Sequence, residues 1–178
     1  MLKRVPLIVA ASLALALPLA VRAQSEAKLE KEYEKLAGSD ANAKSLVTGL
    51  REGKEITLTD GKTTTTFTPP SGKMGNGNVD NALLLARAEL KQQGISNPTP
   101  EQLKGALTTV LDQRAQHKGW GEIAKSMNLK MGELKHEERE RLARADRRED
   151  RRDRHERAEK HEKPEKPEKP ERAARGGR

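Results

Sequence analysis

The stretch NVDNALLLARAELKQQG, residues 78–94, carries the clearest structural signal in the chain. Its apolar residues recur at intervals of three and four, which places them on one side of an α-helix. The apolar stripe consists of Val79, Leu83, Ala86 and Leu90, widened by Ala82 and Leu84. Asn78 is predicted to cap the start of this helix and Gly94 to close its end. The stretch therefore predicts a mainly α-helical core.

Similar patterns on both sides predict four more helices. Residues 26–37 carry Leu29, Tyr33 and Leu36 at helical spacing before Gly38. Ser39 or Asp40 is suited to cap a second helix that ends near Gly53 and buries Leu46, Val47 and Leu50. Downstream, Thr99-Pro100-Glu101-Gln102 has the spacing of a capping box with proline in the first turn, and its helix is expected to stop near Gly119. A short helix is predicted from Gly121 to Met127, with a further helical turn from about Lys130.

One segment, at about residues 55–68, has the alternation of a β-hairpin instead. Ile56 and Leu58 alternate with polar residues, Asp60-Gly61 is a two-residue turn signal, and a threonine-rich run leads to Phe67. With that turn, Ile56, Leu58, Thr63, Thr65 and Phe67 would share one face. Because this apolar face is thin, the hairpin needs a helical layer to pack against. Residues 71–78 are predicted to be a loop.

The first 23 residues have the three parts of a secretory signal peptide. A cationic start, MLKR, precedes an apolar run from Val5 to Val21, and Val21-Arg22-Ala23 places small or modest residues at the −3 and −1 positions. Cleavage is predicted after Ala23, so that the mature chain begins at Gln24 in the periplasm or the medium. No later apolar stretch approaches the ~20 residues of a membrane-spanning helix, so an integral membrane protein is not expected.

Charge and hydrophobicity divide the rest of the chain into two parts. Large apolar residues end at Leu134, apart from Leu142, so residues 24–134 are predicted to form one small, mainly α domain with the hairpin as an accessory. Residues 135–178 are expected to be a mixed-charge, low-complexity tail, partly helical and partly disordered, that includes three Glu-Lys-Pro repeats. From residue 133 onward 17 basic and 14 acidic residues nearly cancel, which argues against tight binding of a polyanion.

No residue pattern identifies an enzyme or a cofactor site. The GNGN sequence at Gly75–Asn78 lacks the further residues of phosphate-binding and calcium-binding loops. None of the four histidines is paired with another at metal-binding spacing, and the chain contains no cysteine. We therefore expect a non-enzymatic protein without cofactor or metal, although an enzyme with unrecognised residues stays open.

The segment Lys118–Leu134 has the apolar spacing of the centre of a helix-turn-helix. The residues that set this pattern are Gly119, Trp120, Gly121, Ile123, Ala124, Leu129 and Gly132. One interpretation is a nucleic-acid-binding protein that uses residues 118–140. The other is that Trp120, Ile123, Met127 and Leu129 are core residues that pack against the preceding helix. Export and the acidic residues of the would-be recognition helix make nucleic acid the less favoured partner.

The segments NGNVDNALLLARAEL (76–90), GISNPTPEQL (94–103) and GWGEIAKSMNLKMGEL (119–134) together resemble a family of uncharacterised exported proteobacterial proteins. The features that carry the resemblance are a Gly-Asn-Val helix start, a Pro-Thr-Pro segment, a GWG-x-IA motif and a low-complexity charged tail. The similarity covers about residues 75–134, and GWGEIAK is its most specific part. Asn128 stands where the family pattern has glycine. The resemblance implies export and domain limits but supplies no activity.

The favoured function is binding or association with the cell envelope, outside the cytoplasm. The tail is the candidate contact with an anionic envelope surface, since it holds most of the excess basic charge of the mature chain. The candidate polyanion contacts are Lys130, Lys135, Arg139, Arg144, Arg147, Arg148, Arg151 and Arg152.

Overall fold

A computed structural model describes the backbone of residues 17–161 and the side chains of residues 24–158. The elements in chain order are α1 (Leu17–Ala37), α2 (Asp40–Glu52), β1 (Ile56–Thr59), β2 (Thr64–Phe67), α3 (Asn76–Gln92), α4 (Pro100–Ala115), α5 (Trp120–Ser126) and α6 (Met131–His161). The predicted fold class, a mainly helical protein with one antiparallel hairpin, is confirmed. The chain divides into two compact units, Met1–Leu134 and Lys135–Arg178. No helix within the described residues is long and apolar enough to cross a membrane.

Local signals set the boundaries of the first two helices. Gly38 follows α1 with a φ of 84°, a conformation that favours glycine, and its amide donates to the Glu34 carbonyl at 2.9 Å. Ser39 is the N-cap of α2 and accepts a hydrogen bond from the Asn42 amide at 3.2 Å. The prediction of a short helix over residues 26–37 was too narrow, because α1 is helical from Leu17 in the described backbone.

The hairpin has a longer loop than the Asp60-Gly61 signal predicted. Thr59 pairs with Thr64 instead of Lys62, so the loop contains four residues, 60–63. The Asp60 carboxylate explains the difference, since it accepts hydrogen bonds from the amides of Lys62 at 2.9 Å and Thr63 at 2.7 Å. The register shifts by two residues, so Ile56, Leu58, Thr65 and Phe67 still share one face while Thr63 moves into the loop.

The core is formed by the apolar sides of α1 to α5 and of β1. Its centre includes the predicted stripe of α3, together with Leu103, Leu107, Val110 and Leu111 of α4 and Ile123 and Ala124 of α5. The capping box of α4 is present, with the Gln102 amide donating to Thr99 Oγ1 at 3.3 Å and the Thr99 amide donating to Gln102 Oε1 at 2.9 Å. α4 ends at Ala115, four residues before the predicted stop.

The start of α3 corrects two predictions. The helix begins at Asn76 with Gly75 as its N-cap, so the predicted loop over residues 71–78 is three residues too long and Asn78 is not the cap. Gly94 has the expected role at the other end, with a φ of 75° and an amide that donates to the Lys91 carbonyl at 3.1 Å.

Asn42 joins three elements although it is polar and only 4% exposed. Its Nδ2 donates to the carbonyls of Ala37 and Thr59, both at 2.8 Å, and its Oδ1 accepts from the Thr59 amide at 3.0 Å. These bonds satisfy every donor and acceptor that the side chain buries, which is the condition for a polar group in a core. The end of α1, the first turn of α2 and the edge of β1 are thereby held together.

Tyr33 is fully buried, and its hydroxyl makes the stability of the folded domain depend on pH in the alkaline range. Its hydroxyl donates to Asp80 Oδ1 at 2.7 Å, and the Arg87 guanidinium lies 5.2 Å from the ring centroid. Burial, reinforced by the Asp80 charge, raises the pKa of the Tyr33 hydroxyl far above its ordinary value of 10.0. The folded protein therefore keeps this proton at a pH where the unfolded chain releases it.

We expect the free energy of unfolding to fall above pH 10 by up to about 1.4 kcal/mol per pH unit through Tyr33 alone. The raised pKa gives a contribution that is complete below pH ~10 and is lost as the pH rises, because only the unfolded state loses the proton. Urea unfolding between pH 8 and 11 gives the free energy of unfolding as a function of pH for the wild type and for Tyr33→Phe. The difference between the two slopes measures the contribution of Tyr33, because the lysines titrate in both proteins. Parallel slopes above pH 10 would contradict the assignment.

Candidate functional site

The GWGEIAK sequence is a packing element of the domain. Ile123 and Ala124 are fully buried, and Trp120, Met127 and Leu129 are partly buried against the core. Trp120 Nε1 donates to Asn78 Oδ1 at 2.9 Å, and the Arg114 guanidinium lies 5.2 Å from the centroid of the Trp120 ring. The indole thus joins α5 to α3 and α4, as the core interpretation of this segment predicted.

Of the three motif glycines, only Gly119 has an evident structural role. Gly119 is the N-cap of α5, and its amide donates to Glu122 Oε2 at 2.7 Å. A Cβ atom at this position would lie only 3.3 Å from the same oxygen. A Cβ atom added to Gly121 or Gly132 would have no heavy atom of another part of the protein within 4 Å. Nothing in the structure explains glycine at these two positions.

A tight turn joins α5 to α6, as the helix-turn-helix spacing predicted locally. Asn128 has a φ of 56°, the left-handed conformation that asparagine adopts more readily than other residues with a side chain. The Leu129 amide donates to the Ala124 carbonyl at 2.8 Å and closes the turn. Asn128 therefore adopts the conformation that this turn requires without a glycine.

Two open surface depressions are lined by described residues. One depression, of about 560 Å³, lies beside Lys31, Glu34, Lys35 and Asn97. The other, of about 510 Å³, follows the surface of α6 between His136 and Arg147. Within residues 24–158 no group of three or more histidine or carboxylate side chains is placed to hold a metal ion.

From Arg144 to Ala158, most charged residues of α6 are sorted onto two sides of the helix. Arg144, Arg147, Arg148, Arg151 and Arg154 follow one another at intervals of three, one, three and three residues. At 100° per residue these positions lie within about 60° of a common direction, and we call them the basic face. Every described side chain from Arg144 to Ala158 is exposed, so this face is open to solvent.

The acidic residues of the same segment lie on the opposite side. Asp146, Glu149, Asp150, Asp153 and Glu156 have the same spacing, displaced by two residues, and we call them the acidic face. A displacement of two residues turns the pattern by about 200° around an α-helix. The two signs are interspersed in the linear sequence, but around the helix axis they are separated in space.

Two of the five basic-face arginines make contacts along α6. Arg144 forms an ion pair with Glu140 at 2.9 Å, and Arg147 Nε donates to the Ala143 carbonyl at 3.1 Å. Arg148, Arg151 and Arg154 make no ion pair with another described side chain. Their guanidinium groups are therefore available to a ligand in solution.

The predicted polyanion contacts are only partly brought together. Arg144, Arg147, Arg148 and Arg151 belong to the basic face, and Arg152 flanks it. Lys135 and Arg139 lie on the other side of α6, and Lys130 precedes the helix with its Nζ 2.8 Å from Glu133 Oε1. That carboxylate raises the pKa of the Lys130 ammonium. Arg154 was missed, and its signal was the three-residue interval from Arg151.

The predicted signal peptide falls mostly outside the described residues, since residues 1–16 are not described. Val21, Ala23 and Gln24, which define the predicted cleavage site, lie in the backbone of α1. The first buried side chain described in α1 is Leu29. The predicted mature start at Gln24 therefore retains all the described core residues.

Neither the family models, nor the curated proteins, nor the solved structures that were compared with the chain contain a match. The resemblance to exported proteobacterial proteins therefore stays a prediction, carried by the sequence motifs alone.

Proposed function

We propose that the chain is an exported, non-enzymatic protein that binds an anionic surface of the cell envelope through the basic face of α6. The observation that carries this proposal is the separation of charge on an exposed helix. A flat anionic surface would meet five arginines on one side, while the acidic face would point away from it. The repulsion expected from a mixed-charge tail is thereby reduced.

The expected affinity is modest and electrostatic. Each basic side chain near an anionic membrane surface contributes about 1 kcal/mol, and this attraction decays within a Debye length of about 10 Å at 0.1 M salt. The segment 144–158 contains only Ala145 and Ala158 as apolar residues, so nothing in it would insert between lipid chains. Binding of this kind would be reversible and would weaken steeply as salt is added.

Export is tested by the N-terminus of the mature protein. After expression of the full chain in a Gram-negative host, we expect protein from the periplasm or the medium to begin at Gln24, because the cationic, apolar and small-residue regions direct cleavage after Ala23. Cell fractionation with N-terminal sequencing measures this. Intact protein that begins at Met1 in the cytosol would contradict export and would favour the nucleic-acid alternative.

Surface binding is tested by removing charge from the centre of the basic face. We expect Arg147→Gln with Arg151→Gln to weaken binding to vesicles containing anionic lipid by about 30-fold at low salt, which is about 2 kcal/mol for two arginines. Co-sedimentation of the full chain with the vesicles gives the affinity. Circular dichroism checks that the helix content is unchanged.

A matched control removes the same charge from the other side of the helix. Arg139→Gln with Arg157→Gln is expected to change the affinity by no more than about threefold, because both positions turn away from the bound surface. Equal losses in the two double variants would show that net charge, and not the basic face, determines binding. Failure of the wild-type chain to bind at low salt would overturn the proposed function.

A further inference from the structure

The basic face is built from arginine alone, in contrast to the domain before it. Residues 24–134 contain 12 lysines and 3 arginines, whereas residues 136–158 contain 9 arginines and no lysine. Charge alone would be supplied equally well by either residue. The change in residue type therefore points to the geometry of the guanidinium group.

Arginine and lysine offer different hydrogen bonds to an anion. The guanidinium presents a planar fork of N–H donors that binds two oxygens of one anion at once, whereas the lysine ammonium acts as a compact point charge. A contact that depends only on the density of negative charge gains little from the fork. A contact with a discrete oxyanion gains both strength and direction.

The spacing of the arginines allows two of them to reach one anion. Arg144 and Arg148, and likewise Arg147 and Arg151, are separated by four residues, and such pairs have Cβ atoms about 5–6 Å apart. A phosphomonoester carries a charge of about −1.5 to −2 and three acceptor oxygens, enough for two guanidinium forks. A carboxylate has only two oxygens, and one fork occupies both.

We infer that neighbouring arginines of the basic face clamp the phosphomonoester headgroups of a lipid surface, two guanidinium groups to one phosphate. This inference rests on the proposed function, in which α6 binds an anionic envelope surface, and it names the chemical group that is recognised. The clamps repeat along the helix over the distance from Arg144 to Arg154, which is about 15 Å at 1.5 Å per residue.

The acidic face favours a lipid plane over the groove of a nucleic acid. A helix in the major groove has phosphates on both walls, so Asp150, which lies about 100° around the helix axis from the centre of the basic face, would approach one of them. A helix on a plane meets anions from one direction only. The basic face covers roughly a third of the helix circumference, which is the part of a helix that can contact a flat surface.

The test compares three kinds of vesicle at equal surface potential. Phosphatidylcholine vesicles contain phosphatidic acid as the phosphomonoester, phosphatidylglycerol as the phosphodiester, or oleic acid as the carboxylate, each adjusted to the same electrophoretic mobility. The full chain is compared with a variant that replaces Arg144, Arg147, Arg148, Arg151 and Arg154 by lysine. Arg139→Lys with Arg157→Lys is the control.

We expect the wild-type chain to bind phosphatidic acid vesicles about tenfold more tightly than the other two, and the five-lysine variant to lose this preference while keeping its binding to phosphatidylglycerol. Equal wild-type affinity for all three vesicles, or an unchanged preference in the lysine variant, would overturn the phosphate clamp and leave the proposed function standing. Absence of wild-type binding to every vesicle would overturn both. Tighter binding to duplex DNA than to any vesicle would overturn the lipid surface as the ligand.

Discussion

Asn42→Ala is expected to lower the free energy of unfolding by about 4 kcal/mol, since it removes three hydrogen bonds and strands their partners inside the protein. The Thr59 amide and the carbonyls of Thr59 and Ala37 would lose the side chain that satisfies them. Urea unfolding followed by the fluorescence of Trp120, the single tryptophan of the chain, measures the loss.

Two further variants make the interpretation of Asn42 specific. Asn42→Asp keeps the acceptor for the Thr59 amide but turns a charged oxygen toward two carbonyls, so we expect it to destabilise at least as much as alanine at pH 7. Asn97→Ala, at an exposed asparagine, is expected to change stability by less than about 0.5 kcal/mol. If Asn42→Ala lowered the free energy of unfolding by less than about 1 kcal/mol, the Asn42 hydrogen bonds would not be essential to the contact between α1, α2 and β1.

Gly49→Ala is expected to destabilise the domain by about 3 kcal/mol, although alanine is the better helix former. Gly49 lies in α2 where the helix meets β1, and a Cβ atom there would overlap Ile56 Cγ1 and lie 3.2 Å from the Lys54 carbonyl oxygen. Ile56 is fully buried, so a shift of its side chain would disturb the closely packed core. The same fluorescence-detected unfolding measures the effect.

Gly105→Ala is the matched control for Gly49→Ala. Gly105 is exposed in α4, and a Cβ atom added there would have no other heavy atom within 4 Å. Alanine at this position should therefore stabilise the helix by about 1 kcal/mol. In a double-mutant cycle, Gly49→Ala with Ile56→Ala should be less destabilised than the sum of the single variants by at least about 1 kcal/mol. Additive losses would contradict a direct steric conflict.

Short-range signals predicted the helices well because the cap residues act on their own neighbours. Ser39, Gly53 and Thr99 bond to amides or carbonyls within five residues in sequence, so their effect is contained in the local pattern. The apolar residues of α3 could also be recognised from the sequence alone, because the helical period places residues three and four apart on one face, whichever element that face contacts. These features set the fold class.

A long-range partner explains one of the predictions that were wrong. Asn78 has the residue type of a cap, but its side chain accepts a hydrogen bond from Trp120, 42 residues further along the chain. The hairpin loop was mispredicted for a local reason, because a two-residue turn and a four-residue loop both suit Asp60-Gly61. The Asp60 carboxylate stabilises the longer loop by accepting hydrogen bonds from the amides of Lys62 and Thr63.

The basic face is not visible in the linear sequence, where basic and acidic residues follow one another in short runs. The 17 basic and 14 acidic residues from residue 133 onward define the net charge of the tail. A net charge leaves out the direction of each side chain around the helix axis. Once residues 131–161 are known to be one uninterrupted helix, the positions of the arginines follow from the sequence alone.

The helix α2 also protects the small sheet against association with other chains. A two-stranded sheet has free edges, and an unpaired edge can accept a strand from another molecule. The Thr57 amide donates to Ser45 Oγ at 3.0 Å, and the Thr59 amide donates to the Asn42 side chain. Two side chains of α2 thus occupy the outward donors of β1, so that this edge is closed to intermolecular strand addition and to the aggregation that such pairing starts.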